Sequence, residues 1–103
     1  MPTQREQLIL SGLWSADDAR DPSADPAAGV ALLSSMKKLL ARGTYLSYTV
    51  SLDSAPLTEI FINREGEKFL LATDGDLYVA ICQAALALPG FLKQLPEFAT
   101  PIP

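Results

Sequence analysis

The sequence predicts an α+β domain: a three-stranded antiparallel meander flanked by two main helices. Three observations predict it. Apolar residues recur at helical period from Pro26 to Arg42, the period falls to two from Thr44 to Thr73 with turn residues between the runs, and helical spacing returns from Asp76 to Leu88. The resulting order is an α-β-β-β-α layered sandwich in one domain, residues 1–103. Residues 1–25 form an N-terminal helix and acidic loop, 26–90 the core, and 91–103 a short helix and extended tail.

Each element has a local reason. Thr3 to Ala19 offers Leu8, Leu13 and Trp14 as the contacts of a short helix, weakened by Gly12. Asp17 to Asp25, with four aspartates and Pro22, reads as a surface loop. Asp25 stands where an N-cap belongs and Pro26 takes the first helical position, which needs no amide hydrogen. Val30, Leu32, Leu33, Met36, Leu39 and Leu40 then give one broad apolar face. Lys37, Lys38 and Arg42 suit the negative end of the helix dipole, and Gly43 is the expected stop.

In the first strand, Leu46, Tyr48, Val50 and Leu52 point one way and Ser47, Thr49 and Ser51 the other. Asp53 to Pro56 make a turn. The second strand, Leu57 to Arg64, sets Ile60 and Ile62 against Leu57, Glu59 and Phe61, and Glu65 to Glu67 close a hairpin. The third strand, Lys68 to Thr73, is apolar at Phe69, Leu70, Leu71 and Ala72 in succession, the pattern of a strand covered on both faces. Leu77, Ile81, Ala84 and Leu88 make the stripe of the second main helix, which Pro89 and Gly90 are expected to end. Leu33, Val50 and Ile81 are expected in the core.

Composition bounds function. At 103 residues, 49% hydrophobic and 19% charged, the chain fits one globular unit. A net charge of −4 is the wrong sign for a phosphate-binding surface, so no nucleic-acid partner is expected. A single cysteine, Cys82, excludes an internal disulfide and suits a reducing compartment. Three apolar residues, Leu8 to Leu10, are too few for a signal peptide, and no apolar run approaches the ~20 residues of a membrane span. The expectation is a cytoplasmic protein with no membrane partner.

The chain has no histidine, which removes imidazole bases, His-assisted nucleophiles and His-containing zinc sites. The glycines are scattered, so there is no phosphate loop. Asp17, Asp18, Asp21 and Asp25 match no calcium-loop spacing and read as a solvated loop with an N-cap. Asp74 and Asp76 flank Gly75 where a strand hands over to a helix. With Asp53 they could form an acid/base or metal cluster, or serve as turn and cap. Cys82 has no cation one helical turn away and reads as packing. No cofactor and no metal are expected.

Two helical words also resemble a known family. Ser23, Ala24, Asp25, Pro26, Ala27 and Ala28 stand where its first helix opens. Ala80, Ile81, Cys82, Gln83, Ala84, Ala85 and Leu86 match its closing A-I-C-x-A-x-L, and Gly12, Leu13 and Trp14 are a looser counterpart. On these residues the stretch from Gly12 to Leu88 is similar to the phage ABA sandwich domain. The resemblance implies a layered fold and a phage or prophage origin, and it brings no catalytic residues.

Apolar residues remain on the other side of the sheet. If Ile60 and Ile62 face the helices, Tyr45, Leu57, Phe61 and one side of the third strand face away. Either the chain's own ends cover them, through Trp14, Phe91 and Phe98, or another chain does. The reading favoured is a non-enzymatic protein-binding module that meets a protein partner or itself through Tyr45, Leu57 and Phe61. The alternative is a small-molecule binder or small enzyme using the Asp53, Asp74 and Asp76 loops.

Overall fold

The first helix, α1, spans Gln4–Leu10 in a computed structural model that describes residues 3–52 and 55–100. Thr3 caps it by accepting from the Glu6 amide, and Gly12, at φ +82°, turns the chain away. The expected helix to Ala19 stops here, because that left-handed residue cannot continue a right-handed helix. Leu8 is fully buried, and the amides of Leu13 and Trp14 both donate to its carbonyl, folding Trp14 back into the core.

α2 spans Pro26–Lys37 and begins as expected, with the Asp25 carboxylate accepting from the amides of Ala27 and Ala28. It ends earlier than the apolar spacing suggests. The segment just past it, residues 38–40, is held by Thr100 instead: the Thr100 hydroxyl donates to the Leu40 carbonyl at 2.6 Å, with the Lys38 carbonyl at 3.1 Å, and the Thr100 amide donates to the Leu39 carbonyl. Those partners satisfy groups that another helical turn would otherwise have to satisfy.

The strands are β1, Thr44–Ser51; β2, Leu57–Arg64; and β3, Glu67–Asp74, in the order β1-β2-β3 with antiparallel pairing throughout. Glu65 and Gly66, at φ 52° and 83°, form a two-residue hairpin loop between the paired residues Arg64 and Glu67. Two successive left-handed residues match the right-handed twist of the strands they join. The turn expected from Asp53 to Pro56 falls partly outside the described residues.

α3 spans Leu77–Gln94, capped by Asp76, and a single 3₁₀ turn, η1, follows at Pro96–Phe98. Pro89 and Gly90 do not end the helix, and the short helix expected from Phe91 is its last turns. A proline inside a helix costs about 3 kcal/mol. Here Phe91, Leu92 and Leu95 beyond it pack against the core and offset that cost. By length and composition α3 would also suffice to cross a membrane, yet its apolar residues are used against β2, β3, α1 and α2.

The helices lie on one side of the sheet. Ile60 and Ile62 of β2 are buried among Leu32, Met36, Ala84 and Leu88 of the helices. Phe69, beside Ile62 in the ladder, joins Phe91 and Phe98 in an aromatic trio with ring centroids 5.3–5.8 Å apart. The architecture is α+β and layered. The double covering expected for β3 does not occur: a register shift opposite Ile60 and Phe61 adds a residue to β3, and Leu70 is turned out to solvent. Val50, expected in the core, is exposed because α3 covers β2 and β3 and leaves β1 at the margin. Leu33 is half-buried and Ile81 fully buried.

Candidate interaction surface

The face of the sheet away from the helices is set by cross-strand register. Tyr45, Asn63 and Lys68 form one row across the three strands; Ser47, Phe61 and Leu70 the next; Thr49, Glu59 and Thr73 the third; Ser51 and Leu57 the last. Among the described residues, nothing from either end covers these rows. Trp14 and Phe98 are buried, and Phe91 partly buried, within the helical layer, so the expected covering of this face by these three residues does not occur.

Tyr45, Leu57 and Leu70 are 59%, 40% and 50% exposed, which is unusual for large apolar residues within a strand ladder. Phe61 is half-buried, with the Lys68 ammonium 4.1 Å from its ring centroid. That is a cation–π contact in which the lysine stem also shields the ring. The Asn63 side-chain amide donates to Ser47 Oγ at 2.9 Å and to the Tyr45 carbonyl at 3.3 Å, fixing β1 against β2 beside Phe61.

Of the three residues expected at an interface, the fold brings Tyr45 and Phe61 into adjacent rows and keeps Leu57 apart from Phe61, beyond the Glu59 row. Leu70 sits directly opposite Phe61 and completes the apolar centre. Its outward side could not be read from the sequence, because Phe69, Leu70 and Leu71 show no alternation.

On the helical side a groove of about 380 Å³ runs between α2 and β1, with Val30 and Leu33 on one wall and Leu46 and Tyr48 on the other. A broader depression of about 760 Å³ lies beside Arg42, Arg64 and Lys93. The Arg64 guanidinium donates to the Arg42 carbonyl at 2.8 Å and to Thr44 Oγ1 at 3.2 Å, so it acts as a brace between the end of α2 and β1.

The carboxylates are used locally. Asp76 accepts from the Tyr78 and Val79 amides, while Asp74 accepts from the Asp76 amide and from Gln83 Nε2 at 3.1 Å. Asp53 lies outside the described residues. Asp21 accepts from the Ser23 amide and hydroxyl, and among the described residues no three carboxylates or cysteines converge as metal ligands. Cys82 is buried, and burial first, then the charges of Asp21 and Asp76, push its thiol up to about 11. A thiol so shifted is protonated at neutral pH and a poor nucleophile.

The Asp18 carboxyl is shifted well down, to about 2, chiefly by side-chain hydrogen bonds from Arg20 at 2.7 and 2.9 Å and by the Arg20 amide. A folded value below the ordinary 3.8 means that this contribution to stability is present above that pH and is lost as pH falls toward 2. We expect an NMR titration to place Asp18 well below the ordinary aspartate value, and Arg20→Gln to return it toward that value. An Asp18 midpoint unaffected by Arg20→Gln would exclude the pairing.

The chain matches no protein-family model, no curated protein and no solved structure.

Proposed function

We propose that the chain is a non-enzymatic protein-binding module of phage or prophage type, acting in the cytoplasm on a host or defence factor. It docks its partner on the outer face of the sheet around Phe61 and Leu70. One observation carries the reading: every helix packs on the opposite face, and the outer face keeps large apolar side chains in solvent. Such side chains, rimmed by polar groups, are the usual anchors of protein interfaces. Here Glu59 and Lys68 supply the rim. The phage assignment rests on the helical words alone. The acid/base alternative gains nothing from Asp74 and Asp76, whose oxygens are occupied in turn and cap.

The test pairs Phe61→Glu with Leu70→Glu. Both variants are expected to fold, with stability within about 1 kcal/mol of the parent, as for partly exposed positions. Both are expected to lose a partner that the tagged parent retains and that mass spectrometry identifies. Retention of that partner by both folded variants would remove the outer face as the docking surface.

A further inference from the structure

We propose that β1 is a pairing edge for a second copy of this chain, joining two sheets into one of six strands about a two-fold axis. Both outer strands of the sheet present unpaired backbone groups, and natural proteins blunt such edges with charges, prolines or bulges. β3 carries these devices: Glu67, Lys68 and Asp74 lie along it and the register shift interrupts it. β1 carries none. Thr44–Ser51 is eight residues, regular in register, without a charge, a proline or a glycine. For a chain of net charge −4, an uncharged segment is where two copies can meet without repulsion.

The side chains sort in the same way. In an antiparallel pairing centred on Tyr48, with the axis normal to the sheet, Tyr48 faces its own copy and Leu46 faces Val50 on the helical side. Ser47 faces Thr49 and Tyr45 faces Ser51 on the outer side. Apolar residues meet apolar ones within, and hydroxyls meet outside. Slipping by two residues in one direction sets Thr44 against Val50, and in the other shortens the ladder.

The residues this pairing would cover are the ones the monomer leaves open. Val30 and Tyr48 are 60% and 59% exposed along the groove between α2 and β1, and Val50, on the same side of β1, is 44% exposed. The paired copy would extend the groove's β1 wall across the dyad and narrow its open side. This surface is the strand edge and is independent of the outer face, so either proposal can fail alone.

Sedimentation of the unmodified chain is expected to show a concentration-dependent dimer. Tyr48→Lys, which sets two like charges together at the axis, is expected to abolish it, while Phe61→Glu leaves it intact. Val50→Lys serves if Tyr48→Lys does not fold. Tyr48→Cys is expected to cross-link to itself under mild oxidation and Ser47→Cys not to, because paired Cβ atoms lie about 4.5–5.5 Å apart only for residues directly opposite. The native Cys82 is buried and does not compete. A chain that is monomeric at every concentration, a dimer that survives both lysine variants, or cross-linking through Ser47→Cys instead of Tyr48→Cys would overturn the proposal.

Discussion

Ile81→Ala is expected to destabilise the fold by about 2–5 kcal/mol, the usual range for truncating a buried aliphatic side chain. Ile81 is 4% exposed and sits in α3, which packs against β2, β3, α1 and α2. Its loss would therefore loosen the helical layer as well as remove one side chain's burial. Because Ile81 also lines the groove beside α2, part of the new cavity opens to water, which favours the lower half of the range. Urea denaturation measures this directly: the midpoint should fall while the slope stays constant. An unchanged midpoint would mean that Ile81 is not a core residue and that α3 is rotated about its axis.

Phe98→Ala is expected to cost about 3–5 kcal/mol, as large a loss as any single truncation in this chain. The ring is 2% exposed and contacts both Phe69 of β3 and Phe91 of α3 edge-on. Such aromatic pairs add about 0.5–1.5 kcal/mol beyond area burial. Phe98 also holds the segment that satisfies the end of α2: its carbonyl accepts from the Ala41 amide at 2.8 Å, and Leu40 bridges to Ala99. Loss of the ring should therefore raise amide exchange at Ala41, far from it in sequence, and at Thr100, whose amide donates to the Leu39 carbonyl. A variant as stable as the parent, with those amides still protected, would return residues 96–100 to the loose tail expected from sequence.

How much was legible follows the range of each interaction. β2 was placed from Leu57 to Arg64 because turn residues flank it and Ile60 and Ile62 alternate cleanly, and the caps at Asp25 and Asp76 are decided within one helical turn. The ends of α2 and α3 were not legible. α2 stops where Thr100, about sixty positions away in the chain, takes the carbonyls of the residues just past it, and α3 passes Pro89 because Phe91 and Leu92 find the core. On the outer face, alternation placed Tyr45, Leu57 and Phe61 on one side. Their spacing within it, and the outward side of Leu70, depend on register and on the extra residue in β3, which no single strand encodes.

The bonds from Thr100 to the end of α2 have a consequence for biosynthesis. The two hairpins of the sheet join neighbouring segments and can form soon after they leave the ribosome. α2 is made early, yet the carbonyls just past its end and the aromatic trio wait for Phe98 and Thr100, among the last described residues to be translated. At roughly 5–20 residues per second, the interval from Leu40 to Thr100 lasts a few seconds. During that time Leu32, Met36 and Leu40 are synthesised without the core that will bury them. A nascent chain stalled before Phe98 should accordingly be protease-sensitive, and one released beyond Thr100 should not.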